Sequence, residues 1–152
     1  MNDTAKITII ACISIAAIII SVIAITMPVK NIPENEQTAY TGVKREYWLF
    51  NSDVPDFNET KTGMPHDAFS MPVISALKGD TITIHFFNTE EPTGDHHSFT
   101  ILDKPYNINV DLSPGENKTI TFVATTAGVY NYYCTYHQPT MRGQLVVESP
   151  TS

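Results

Sequence analysis

Residues 128–147 read Gly128-Val-Tyr130-Asn-Tyr132-Tyr-Cys134-Thr-Tyr-His137-Gln-Pro-Thr-Met141-Arg-Gly143-Gln-Leu145-Val-Val147. Side chains alternate between the faces of a strand, so the first run places Tyr130, Tyr132 and Cys134 on one face. The second run, Gly143 to Val147, alternates in the same way, and the segment between them is a loop. A thiol (Cys134), an imidazole (His137) and a thioether (Met141) thus fall within eight residues at a strand end. This is a soft donor set that favours copper, and a trigonal site of two histidines and one cysteine with a weak axial methionine needs one more imidazole.

Five histidines are present, and strand parity chooses among them. In His96-His97-Ser98-Phe99-Thr100-Ile101, His97 shares a face with Phe99 and Ile101, whereas His96 goes with Ser98 and Thr100. In Thr81-Ile-Thr-Ile-His85-Phe the isoleucines point inward and His85 joins the threonines, facing solvent. His66 lies in an irregular stretch near Met64 and Met71, where it reads as a polar loop residue or a weak second metal contact. Alone, His97 would be a core histidine satisfied by hydrogen bonds. Two interior histidines and an interior cysteine are costly as separate polar burials, and joint coordination of one metal accounts for all three.

Working outward, alternating segments at Glu46–Phe50, Val73–Leu77, Thr81–Phe87, Ser98–Leu102, Asn107–Leu112, Lys118–Ala124, Val129–Cys134 and Gly143–Val147 are separated by turn residues such as Lys78-Gly-Asp80 and Ser113-Pro-Gly-Glu116. Many short strands at this spacing predict an all-β sandwich or small barrel. Residues 51–72, broken by Pro55, Gly63, Pro65 and Pro72, read as a long loop between an early strand and the core. The tyrosines at 130, 132, 133 and 136, and Trp48, read as packing. Asn58-Glu-Thr60 and Asn117-Lys-Thr119 are glycosylation sequons.

The chain divides by composition. Residues 7–27 carry no charge and no proline, long enough to cross a bilayer core of about 30 Å. Residues 1–29 are therefore expected to be an uncleaved membrane anchor, 30–43 a linker, 44–148 the β domain and 149–152 a tail. Cys12 reads as a small apolar residue of the anchor. Residues 31–152 carry fifteen acidic against seven basic side chains, which disfavours nucleic acid as a partner. With Cys134 the one cysteine beyond the anchor, neither a disulfide framework nor a two-cysteine binuclear copper site is available. A copper thiolate belongs outside the reducing cytosol, which places the β domain on the extracytoplasmic side of a cell membrane crossed once.

With these residues in hand, the chain resembles the type 1 (blue) copper proteins of the cupredoxin family, the plastocyanin, amicyanin and pseudoazurin group. The resemblance rests on Leu77-Lys-Gly-Asp80-Thr-Ile-Thr-Ile, His97-Ser-Phe99-Thr-Ile101, Pro114-Gly115, and Gly128 to Val147. It implies a Greek-key β-sandwich, one copper ion, and His97, Cys134, His137 and axial Met141 as ligands. Three residues separate His137 from Met141, where plastocyanin-like loops have four and amicyanin-like loops two. It further implies one-electron transfer with redox protein partners docking on a collar of Gln138, Pro139, Thr140 and Met141 around the His137 edge. Two other functions are kept: redox chemistry on nitric oxide or nitrite at an open copper position if Met141 does not bind, and copper storage or delivery using Met64, Met71 and Met141. The Ile-, Thr- and Asn-rich composition is similar to anchored cupredoxins of nitrifying archaea.

Overall fold

A computed structural model describes residues 39–151. The expected anchor lies outside the described residues, among which no helix is long and apolar enough to cross a membrane. The chain forms β1 (Lys44–Asp53), a single helical turn α1 (Glu59–Thr62), β2 (Asp67–Phe69), β3 (Val73–Leu77), β4 (Thr81–Phe87), β5 (His97–Ile101), β6 (Ile108–Leu112), β7 (Asn117–Val123), β8 (Gly128–Tyr133) and β9 (Arg142–Glu148). Two sheets result, with strand orders β2-β1-β4-β7 and β3-β9-β8-β5-β6. β1 runs parallel to β4 and β3 parallel to β9, while the remaining pairs are antiparallel.

The alternation that predicted the strands also fills the space between the sheets. Leu49, Ile82, Ile84 and Phe86 of the first sheet and Ile74, Phe99, Ile101, Tyr132, Leu145 and Val147 of the second are all buried. Full burial of each large apolar side chain contributes about 1.5–3 kcal/mol. Trp48 departs from the expected packing role: it is 55 % exposed and stacks on His85 across the outer face of the first sheet, centroids 5.1 Å apart. The two are register partners on β1 and β4, and that shared outward parity keeps both from the core.

Residues 51–72 are not one long loop. β1 continues to Asp53, Asn58 caps α1 by accepting from the Lys61 amide at 2.8 Å, Gly63 closes the turn with φ of 68°, and β2 pairs with the end of β1. Phe69 of β2 lies edge-on to Phe86, Phe99 and Tyr132 at 5.2–6.4 Å. The segment set aside by its prolines therefore supplies a central core ring.

The turn before β4 holds a buried carboxylate. Asp80 accepts from the Val43 and Leu77 amides at 2.8 Å each, and from Tyr40 and Arg45. Tyr40 and Val43 fall in the expected linker, so the chain is tied to the domain before β1 begins. Burial alone would raise the Asp80 pKa, but Arg45, Tyr40 and the two amides outweigh it and hold the carboxyl well below the usual carboxylate range. A depressed folded pKa contributes stability that is complete above the unfolded value, about 3.9, and lost as pH falls towards the folded one. Asp80→Asn is expected to cost about 2 kcal/mol at pH 7, two charge-assisted bonds being weakened. Urea unfolding should show the gap from the native protein narrowing steadily below about pH 4. A gap independent of pH would contradict this role.

Candidate metal centre

His97 and Cys134, placed by strand parity, converge with His137 of the following loop at the start of β5 and the end of β8. Nδ1 of His137 lies 3.2 Å from Nδ1 of His97, and Sγ of Cys134 lies 3.9 Å from the His97 nitrogen and 3.6 Å from the His137 nitrogen. A circle through the three atoms has a radius of about 2.1 Å, the scale of metal–imidazole and metal–thiolate bonds, about 2.0–2.3 Å. Both rings thus turn the same nitrogen towards one point, and the donor set fits a single soft metal ion.

Backbone geometry explains the convergence. His97 opens β5, where it is fully buried with Phe99 and Ile101 on the inward face. The Ser98 amide donates to Cys134 Sγ at 3.3 Å, and such donors stabilise a thiolate. The loop from Cys134 to Met141 closes on itself. The Cys134 amide donates to the Met141 carbonyl at 3.0 Å and the Met141 amide to the His137 carbonyl at 2.9 Å. Gln138 Nε2 donates to the Cys134 carbonyl at 2.7 Å. Gln138 is thereby turned onto the loop, and Met141 is fully buried in the core. Of the four expected collar residues, Met141 is thus withdrawn from the surface, whereas Pro139 is exposed.

His96 and His85 separate as parity predicts. His96 faces outward near Asp111 at 3.3 Å, and His85 bonds Thr119 at 3.0 Å on the outer face. His66 meets Glu59 at 2.7 Å and Asp53 at 3.3 Å, and the Glu59 contact raises its pKa. Parity fixes the face but not its burial: Ser98 and Thr100, on the polar face of β5, are also buried. Ser98 Oγ accepts from the Thr135 amide at 2.8 Å and Thr100 bonds Asn109 at 2.8 Å, so side chains of neighbouring segments cover that face.

The outer edges of the ligand rings meet carboxylates. His97 Nε2 lies 3.6 Å from Asp67 and 3.5 Å from Glu90; His137 Nε2 lies 3.7 Å from Asp67 and 3.6 Å from Asp95. Burial lowers the His97 pKa, Asp67 opposes the shift and His137 adds to it; a neutral ring is the form that can ligate a metal. Asp67 and Glu90 escaped the sequence reading. For Asp67 a signal existed: it stands two residues from Phe69, hence on the same face, once residues 67–69 are known to be a strand.

An all-β sandwich with a buried Cys-His-His donor set at its strand ends defines the cupredoxin class. The chain belongs to that family: the Cupredoxin-like domain matches residues 47–147. Among curated proteins it is similar to the nitrous-oxide reductase of Cupriavidus necator, 34 % identical over 86 residues, covering 54 % of this chain and 13 % of that one. The chain thus spans only a small part of the length of that relative. Among solved structures it is similar to a copper nitrite reductase from Nitrosomonas europaea, with TM-score 0.53, 23 % identity and coverage of 70 % of this chain and 42 % of that one. Rusticyanin from Thiobacillus ferrooxidans aligns with TM-score 0.52, 24 % identity and coverage of 72 % and 80 %. These structural likenesses bear on the fold alone.

Proposed function

We propose that the chain is a mononuclear type 1 copper protein, with His97, Cys134, His137 and Met141 as ligands, carrying single electrons on the extracytoplasmic face of a membrane. Residues 1–29 tether it there, a reading supported by their uncharged stretch at 7–27. The observation that carries the copper reading is the triangle of His97 Nδ1, His137 Nδ1 and Cys134 Sγ, no side longer than 3.9 Å. Bound copper supplies a one-electron couple between Cu(I) and Cu(II).

The chain's own residues do the rest. The self-bonded 134–141 loop and the β5 strand hold the donors in place without metal, so little must move when the charge changes. Ser98 donates to the sulfur, and Met141, fully buried at the loop's end, would supply a thioether as a fourth donor. His137, its side chain 12 % exposed, is the ligand nearest solvent. Its edge adjoins a groove lined by Glu59, Met64, His66, Asp67 and Asp95. The carboxylates of that groove suit a redox partner with a basic patch, bound in a salt-sensitive way.

The full chain in detergent is expected to take up one equivalent of Cu(II) and develop an intense visible thiolate band with a narrow copper hyperfine splitting in electron paramagnetic resonance. A colourless protein at saturating Cu(II) would refute the reading. Met141→Ala is expected to shift both the band and the reduction potential, because the weak axial ligand tunes the site. An unchanged spectrum and potential would remove Met141 from the ligand set.

A further inference from the structure

Asp67 stands between the two ligand histidines. Its Oδ1 lies 3.6 Å from His97 Nε2 and its Oδ2 lies 3.7 Å from His137 Nε2. It is 3 % exposed, on the three-residue strand β2 that Asn51, Ser52 and Asp53 hold in register. Both separations exceed a hydrogen bond. One carboxylate placed between two rings closes on neither, and His97 Nε2 is left as a fully enclosed nitrogen without a hydrogen-bond partner. Buried unsatisfied groups are rare and call for an explanation.

We propose that Asp67 is a positioning residue of the metal centre: one buried carboxylate, facing the outer nitrogens of both ligand histidines, keeps both Nδ1 atoms turned inward and biases bound copper towards its oxidised state. The inference rests on the copper reading above. Outer-sphere carboxylates orient metal-bound imidazoles and raise their basicity. Here a single group faces both rings, which stand 4.7 Å apart between centroids and 51° between planes. Its low exposure limits the screening of its charge by water, so Cu(II), one unit more positive than Cu(I), gains more from it.

Glu90 supports the same arrangement beside Asp67. Its Oε1 accepts from Asn51 Nδ2 at 2.6 Å and lies 3.5 Å from His97 Nε2. A Cβ on Gly94 would stand 2.6 Å from Glu90 Oε2, so that glycine lets the turn close over the carboxylate. Glu90 faces one ring only. Asp95 also lies near one ring, but it is 72 % exposed, and water screens it.

The test compares full-length native protein with Asp67→Asn, Asp67→Glu, Asp67→Ser and Asp95→Asn. Reduction potentials are measured by redox titration of the visible band, and metal-free thermal unfolding serves as a control for folding. Asp67→Asn is expected to keep the thiolate colour and to raise the ratio of Cu(I) to Cu(II) affinity at least tenfold, equivalent to about 59 mV for one electron. Asp67→Glu, which retains the charge, should restore most of the native potential, and Asp95→Asn should shift the ratio less than threefold. Where the metal-free Asp67→Asn protein does not fold, Asp67→Ser takes its place with the same rise expected. A coloured, folded Asp67 variant with the native potential overturns the inference while the copper reading stands. A native protein that binds no copper overturns the copper reading, and this inference with it.

Discussion

Cys134→Ser is expected to abolish the visible thiolate band and to weaken copper binding by more than about a hundredfold, beyond the usual loss on removing an outer-sphere partner. The sulfur is fully buried and is one corner of the donor triangle. It is the one free cysteine among the described residues, so no neighbouring thiol can substitute. A serine hydroxyl remains protonated at neutral pH and is a harder donor, poorly matched to copper in its reduced form. Serine nearly fills the same volume and can accept the Ser98 amide in place of sulfur, so the metal-free protein should melt within a few degrees of native. A Cu(II) titration followed by absorbance and electron paramagnetic resonance separates the two effects. Retained colour would mean that the chromophore is not Cys134.

Gly143→Ala is expected to lose about 3 kcal/mol of stability, at the upper end for overpacking. Gly143 of β9 is the register partner of Tyr132 of β8. The tyrosine ring lies directly over it, and a Cβ there would come closer than 3.0 Å to ring atoms. The ring cannot swing aside easily: it packs on Phe69 and Phe99 and donates its hydroxyl proton to the Met71 carbonyl. Relief must come from separating β8 and β9, the two strands that hold the ligand loop between them. Gly143→Ala should therefore lower both the urea midpoint and copper affinity. Pairing it with Tyr132→Leu should recover part of the loss, a non-additivity expected of touching residues. Strict additivity would show that the ring is not the obstacle.

The parts legible in the sequence were those where one physical rule acts alone. Eight strands could be read because alternation follows directly from having one face in the core, and the same parity separated His97 from His96 and His85. Cys134 and His137 were legible because adjacent donors sit on one loop. Parity assigns a face but not its burial, so Ser98 and Thr100 were placed with the polar face without revealing that Thr135 and Asn109 cover it. Trp48 was misjudged because an aromatic on an outward position packs on a neighbour, His85, rather than in the core. β2 was hidden because three residues carry too little periodicity, and its prolines and glycine neighbours resemble a loop; what makes it a strand is the distant edge of β1. With β2 went Asp67, whose role arises from a tertiary contact that no local pattern encodes.

The Ser98–Cys134 contact joins residues 36 apart in sequence, and the donors come from strands that meet only when the second sheet is assembled. Closing such long loops is slow compared with forming local turns. The thiolate-to-copper colour consequently cannot develop before β5, β8 and β9 are in register. In a refolding experiment with copper present, absorbance would report that long-range closure.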